Sequence, residues 1–477
     1  MTLALDRPTA TPATAAPTAP AADPGLPAVV RAGVRVPLVT GGEVEYADLD
    51  LAASAPALAA VADHVTDVLP LLASVHRGAG HLSRVSTALL ERARACVAEF
   101  VGARPADPDG DVVVFVRNTT DALNLLARAV PGPVLTLDVE HHANLLPWRS
   151  GTHRTVTAAP TVAGTLARLD AALRAAPTAL LAVTGASNVT GEVLPLRRIA
   201  ALAHAAGARV VVDAAQLAPH RRVDLAATGV DYLALSGHKL YAPFGAGALV
   251  GRRDWLDAAA PYLAGGGAVT QVDRDASDVR ASWAPAPHRH EAGTPNVLGA
   301  AALAQACRTL APVLDGPGPA HERALLDRLA AGLAAVPGVT PLRIWSDAAD
   351  RVAVQAFTVA GVPAGLVAAH LSAEHGIGVR DGRFCAHPLL ARLSPDGAGG
   401  TDAGADGTAV RASIGLGTTP EHVDRLVAAL HRLVTRGPAW SYAVVDGRWS
   451  PTPDPRDPDP LTVGRADVAG TGCGTRS

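Results

Sequence analysis

Between about residue 85 and residue 300, short runs of β-branched and aliphatic residues alternate with longer stretches whose apolar positions recur at helical spacing. Unbroken apolar runs at Val112–Val116, Val134–Asp138, Ala179–Thr184, Arg209–Val212, Tyr232–Leu235 and Ala246–Val250 predict strands buried on both faces. Ala/Leu/Arg segments at Asp121–Val130, Leu166–Ala175 and Leu196–Ala206 predict helices, the last stopped by Gly207. Such alternation is the mark of βαβ units around a mainly parallel sheet. After Thr294-Pro295-Asn296 an Ala-rich helix (298–312) runs into Asp315-Gly316-Pro317-Gly318, and a second, smaller α/β pattern follows. It comprises a helix at 321–335, a strand near 351–359 and helices at 363–374 and 420–435. The expected division is a disordered leader (1–27), a large domain (28–298) whose first segment packs on the small domain, a small C-terminal domain (299–440) and a disordered tail (441–477).

Composition narrows the class. A chain of 477 residues can bury a sizeable core. No run of about 18 uncharged apolar residues predicts a membrane span, and residues 1–27, rich in Ala, Thr and Pro, lack the apolar segment of a secretory signal. A net charge of −3 with dispersed arginines offers no basic field for nucleic acid or anionic membrane. The four cysteines, Cys96, Cys307, Cys385 and Cys473, show no C-x-x-C spacing, so neither a metal site nor a disulfide framework is expected, and a cytoplasmic setting fits.

Of 41 basic residues only Lys239 is a lysine, inside Ser236-Gly237-His238-Lys239. A GC-rich composition replaces lysine with arginine wherever charge suffices. An arginine cannot be deprotonated to attack a carbonyl, whereas a desolvated lysine can. The run Arg209–Val212 is followed by Asp213 and Gln216, and the run Tyr232–Leu235 leads straight to Lys239. In open α/β sheets the ligand crevice lies beyond the carboxyl ends of the strands, so an acid and an amine meet at one edge. That pair suits pyridoxal phosphate: the lysine holds the aldehyde, and the carboxylate keeps the pyridine nitrogen protonated. Asn118-Thr119-Thr120-Asp121 follows a strand and opens a helix, which serves a phosphate or an ordinary helix cap. Glu140-His141-His142-Ala143-Asn144 places imidazoles in a loop after another strand, at a ring or on the surface.

Together, Thr119-Thr120, His141, Asn188, Asp213, Gln216, Ser236-Gly237-His238-Lys239, Glu291-Ala292-Gly293-Thr294-Pro295-Asn296 and Arg380-x-Gly-x-x-Cys385 occur in the order found in class V aminotransferases. From about 45 to 435 the chain resembles that family, and within it the group II cysteine desulfurases and selenocysteine lyases. The resemblance implies a pyridoxal-phosphate-dependent homodimer of fold type I, with a seven-stranded-type sheet. Carried across, Lys239 is the Schiff-base lysine and Asp213 the partner of the pyridine nitrogen. Gln216 and Asn188 hold the ring hydroxyl and substrate side, and His141 stacks on the ring. Thr119, Thr120, Ser236 and His238 hold the phosphate, with Thr294 reaching it from the other subunit. Arg411 and Arg380 resemble carboxylate-binding arginines, and His76 falls on the substrate side.

In the desulfurases the cysteine matching Cys385 takes sulfur from L-cysteine, releases alanine and passes the sulfur to an acceptor protein. Gly382 lends that loop flexibility, and Arg380, Arg383 and His387 make a setting that favours thiolate. The chain departs from the family pattern at Asn118, where a glycine is expected, at Phe384, where a histidine is common, and in a Gly/Asp-rich insertion at Ser394–Thr408, which reads as a flexible loop. The expected activity is a cysteine desulfurase. Another class V enzyme (selenocysteine lyase, C–S lyase, epimerase or aminotransferase) and a silent scaffold homologue are the alternatives.

Overall fold

A computed structural model describes residues 25–104, 110–274, 278–348, 350–394 and 407–456. Its centre is a seven-stranded sheet in the order Asp111–Val116, Gly247–Arg252, Tyr232–Ser236, Arg209–Asp213, Leu180–Thr184, Val134–Leu137, His153–Val156. Only Gly247–Arg252 runs against its neighbours. Alternate residues of each strand feed two separate cores. Val113, Leu181, Val183, Val210, Val212, Leu233 and Leu235 enter one, and Val112, Val114, Leu180, Ala182, Val211, Tyr232 and Ala234 the other. Helices cover both faces, which is why these strands read as unbroken apolar runs.

A second sheet of four antiparallel strands, Val339–Pro341, Val354–Val359, Ala409–Ser413 and Arg380–Gly382, packs with helices Gly318–Ala335, Ala364–His375 and Pro420–Arg436. Leu326, Leu329, Phe357, Val367, Leu426 and Leu430 form its core, joined by Ala47 and Leu49 from far upstream. The upstream segment is stitched in by parallel pairing of Ala47–Asp48 with Ile377–Gly378.

Several expectations are corrected. The edge strand His153–Val156 was not predicted, because His153 and Arg154 break the apolar run that a doubly covered strand shows. The hairpin Val269–Arg274/Val279–Trp283 is mostly exposed on both strands and carries no apolar pattern. A boundary at 298/299 cuts through one helix, Val297–Leu314, whose Leu303, Ala306, Cys307 and Leu310 belong to the large sheet's core and which packs on helices Ala59–Val68 and His81–Phe100. By length and composition alone that helix could cross a membrane; here it is mostly buried within the protein.

The expected disorder from 441 does not hold for the described part of that tail, since Tyr442–Val445 and Arg448–Pro451 form a hairpin. Its anchor is Glu374, which accepts from Ala439 N, Trp440 N and the Tyr442 hydroxyl. Residues 1–24, 457–477 and 395–406, the last covering most of the Gly/Asp-rich insertion, lie outside the described residues.

Candidate active site

The carboxyl ends of the parallel strands converge on one edge. Asp213 ends its strand, Ser236 ends the next, and Lys239 follows in the turn closed by Lys239 N to Ser236 O. The turn is tight because Gly237 lies against Ala246: a Cβ there would stand 2.5 Å from Ala246 O. Burial lowers the Lys239 amine to about 8, with Asp213, Cys385 and Asp50 pulling it up and Arg411 pushing it further down. A good share of the amine is therefore neutral near physiological pH. Burial raises Asp213, against the Ala215 N–H that it accepts at 3.0 Å and the charge of Lys239. The mutual influence of Lys239, Asp213, Arg411 and Cys385 makes this one electrostatic cluster assembled from both sheets.

His141 caps a short helix, its Nδ1 accepting from Ala143 N at 3.0 Å. Burial, then Lys239, His142 and Arg411, lower it to about 3. It is thus neutral, and with Nδ1 accepting, its proton sits on Nε2. Beneath it Glu140 is fully buried between Asn144 Nδ2 (2.7 Å) and Thr184 N (3.0 Å), and burial pushes it up to about 8. Gln216 is fixed by Nε2 donating to Ala52 O at 2.7 Å.

Helix Thr119–Ala129 opens at the same edge. Asn118 Oδ1 accepts from Asp121 N at 3.0 Å, so the residue found where a glycine was expected is the helix cap. Gly247 makes room for Asn118: a Cβ there would stand 2.7 Å from Asn118 Cα. Ser236 Oγ accepts from Thr119 N and donates to Thr119 Oγ1, both at 2.9 Å, tying the helix start to the lysine turn. Thr120 is exposed in the first turn, and His238 is lowered by burial and by Lys239. Helix dipole, hydroxyls and a nearby imidazole make a fitting cradle for a phosphate.

Opposite stands Arg411, 4% exposed on the strand Ala409–Ser413. Its Nη1 donates to Asn188 O at 3.0 Å and its Nη2 to Asp50 Oδ1 at 3.1 Å, while Arg380 lies 3.9 Å from the other Asp50 oxygen. Arg411 Nε is buried without a hydrogen-bond partner. Phe384, unexpected in place of a histidine, sets its ring 5.3 Å from the Arg411 guanidinium. Asn188 Nδ2 donates to Phe384 O at 2.8 Å, and His142 N to Cys385 O at 2.8 Å. Held this way, Phe384 and Cys385 both adopt left-handed backbone, with φ of +48° and +53°, and the Cys385 thiol is exposed. Two consecutive non-glycine residues in that region cost about 1–3 kcal/mol each, and such strain gathers at functional loops.

Two predicted residues lie apart from this cluster. Thr294 is exposed in a loop fastened by Glu291, which pairs with Arg94 at 2.8 Å and accepts from Phe115 N. His76, with φ +65°, contacts Thr87 and the ring of His288. Sequence reasoning missed Asp50: a lone aspartate in an irregular segment carries no spacing signal, and its partner is 361 residues away. His142 and His387, whose rings meet edge to face at 4.5 Å beside Cys385, were also missed as a pair. A cavity of about 780 Å³ lies elsewhere, lined by Leu26, Tyr46, His321 and His422.

The family model for aminotransferase class-V matches residues 48–426. The chain is 37% identical over 409 residues to a cysteine desulfurase of Dickeya dadantii, covering 83% of this chain and 93% of that protein. With a cysteine desulfurase of Klebsiella pneumoniae it shares 38% over 376 residues, 76% and 86% of the two chains. Among solved structures, a cysteine desulfurase from Escherichia coli superposes with a TM-score of 0.69 at 32% identity, covering 82% of this chain and 94% of that one. One from Thermococcus onnurineus superposes with 0.72 at 30%, covering 82% and 95%.

Proposed function

The chain belongs to the class V aminotransferases, and from that premise we propose that it is a pyridoxal-phosphate-dependent cysteine desulfurase, converting L-cysteine to L-alanine and carrying the sulfur on Cys385. The observation that carries this reading is the placement of Cys385. Its thiol is exposed on a strained loop whose carbonyls are pinned by Asn188 and His142 and whose Phe384 ring lies 5.3 Å from the Arg411 guanidinium.

Lys239, Asp213, Gln216, Asn188 and His141 would hold the cofactor ring, and Thr119, Thr120, Ser236 and His238 its phosphate. When bound, pyridoxal 5′-phosphate supplies an electron sink that acidifies the α-carbon of an amino acid. Arg411 holds the substrate carboxylate through donors not spent on Asn188 and Asp50, and its orphan Nε is a group that such an anion satisfies. Lys239, lowered to about 8, takes the α-proton at Nζ. Cys385 Sγ, as thiolate, then bonds to the substrate sulfur while the Cβ–S bond breaks. The electron pair of that bond passes to Cβ, which gains a proton, Lys239 Nζ returns a proton to the α-carbon as alanine forms, and Cys385 is left as a persulfide. Neutral His141, with its proton on Nε2, can donate or relay one beside the lysine.

Thr294 lies exposed on its own chain, in a loop whose likeness is to one that completes a partner's phosphate site, which supports a homodimer. The separated cysteines are consistent with a cytoplasmic enzyme, and an exposed persulfide on Cys385 suits delivery to an acceptor protein. The test compares wild type with Cys385→Ala on L-cysteine. Wild type should yield alanine and one added sulfur on the Cys385 peptide by mass spectrometry. The variant should keep the cofactor and lose sulfur release by roughly two orders of magnitude. Alanine and sulfide at the wild-type rate from the variant, or transamination instead, would move the assignment to another class V activity.

A further inference from the structure

Helix Ala364–His375 buries a group of side chains that this chemistry does not use. His370 and Glu374, at i and i+4, share one helix face, and His375 is the last helical residue before Gly376. One ligand-type atom from each of the three lies within 4.8 Å of the other two. His370 is 1% and Glu374 8% exposed. Neither ring nitrogen of His370, nor Nε2 of His375, has a hydrogen-bond partner. Nδ1 of His370 stands 3.1 Å from Glu374 Oε1 but outside hydrogen-bonding geometry, and the two imidazoles meet edge to face at 4.8 Å. A buried polar group without a partner costs about 1–3 kcal/mol, so three such nitrogens around one carboxylate call for a common partner.

We propose that His370, Glu374 and His375 bind a divalent transition cation of the zinc type, at the carboxylate that anchors the C-terminal hairpin to this helix. Two imidazoles and a carboxylate, with a fourth position left for solvent, are a ligand set suited to such an ion. Glu374 already carries the outer contacts that orient a ligating carboxylate: it accepts from Ala439 N (3.0 Å), Trp440 N (3.1 Å) and the Tyr442 hydroxyl (3.0 Å). Arg432 and Arg425 from the neighbouring helix act against a cation, and Glu374 offsets them. The three ligand atoms lie within 4.8 Å of one another, and tetrahedral bonds of ~2.1 Å would bring them to roughly 3.4 Å. Ala439, Trp440 and Tyr442 lie beyond the residues matched by the family model, whereas the three ligands themselves lie within them.

The experiment uses the full-length, cofactor-loaded protein carrying Cys385→Ala, because the exposed thiol with His142 and His387 is a competing ligand set. After chelator treatment, Zn²⁺ is titrated against a chromophoric competitor, and Co²⁺ is added separately. One tight equivalent per chain is expected, with d–d bands from Co²⁺ and no thiolate charge-transfer band. Adding His375→Gln should weaken that equivalent roughly 100-fold, and bound zinc should slow proteolysis between residues 437 and 456 only when His375 is present. The Co²⁺ spectrum is read on the intact site, so it stands even if a histidine variant folds poorly. Equal zinc affinity with and without His375, or no equivalent tighter than about 10 µM, overturns the proposal.

Discussion

Replacing Arg411 with lysine isolates the fork geometry of the carboxylate site from its charge. Arginine has five N–H donors. One on Nη1 is committed to Asn188 O at 3.0 Å, one on Nη2 to Asp50 Oδ1 at 3.1 Å, and the buried Nε has no partner. Two donors can therefore meet a carboxylate while the other two keep the guanidinium in place. A lysine ammonium can still neutralise Asp50, so folding should change little, but it can offer the substrate at most one charged hydrogen bond. Losing the second costs about 1.5–3 kcal/mol. At 1.36 kcal/mol per decade, kcat/KM for L-cysteine should fall roughly 10- to 150-fold. The loss should appear mainly in KM, because the carboxylate is held equally before and during the reaction. Initial rates of alanine formation across a range of L-cysteine concentrations, with a melting curve as the folding control, make the measurement. A kcat/KM within threefold of wild type at unchanged stability would refute the assignment of Arg411 to the substrate.

Two further outcomes are expected. Because burial lowers Lys239 from 10.5 to about 8 and only the unprotonated amine reacts, the rate at which cofactor-free protein captures pyridoxal phosphate should rise with pH through a midpoint near 8 and level off above it; a midpoint near the unperturbed value would remove the burial argument. Glu291→Gln strips a pair whose side chains are 4% and 12% exposed and leaves Arg94 only the more exposed Glu91 at 3.2 Å, which should cost about 1.5–3 kcal/mol; the melting temperature should drop, and if the Thr294 loop does complete a partner's phosphate site, the variant should also release cofactor faster on dialysis.

What could be read from the chain follows from burial. Strands covered on both faces write themselves as unbroken apolar runs, so six of the seven in the large sheet were legible, and the edge strand His153–Val156 was not. Asp213 and Lys239 stood out because each closes or follows such a run. Asp50 gave no signal, since its role comes from a partner in the other sheet. The left-handed backbone at Phe384 and Cys385 was equally hidden: neither residue favours it, and Asn188 and His142 hold it in place from distant segments. The hairpin after residue 441 reads as tail because what holds it, the Glu374 carboxylate and packing on helix Ala364–His375, lies far upstream.

The short stretch from Leu49 to Ala55 sets a clock on the birth of this enzyme. Ser413 N donates to Leu49 O at 2.7 Å, Ala52 N to Ser413 Oγ at 2.9 Å, Gln216 Nε2 to Ala52 O at 2.7 Å, and Ala55 N to His238 O at 2.8 Å. Residues made within the first moments of translation thus wait for residues made near its end. The lysine turn and its sheet can condense once the chain has passed residue 252, but the wall bearing Arg411 closes only after the ribosome has released the strand Ala409–Ser413. Contacts of such long reach fold slowly, and until they form, the lysine pocket stands open to water on one side. A complete site therefore waits on the strand Ala409–Ser413.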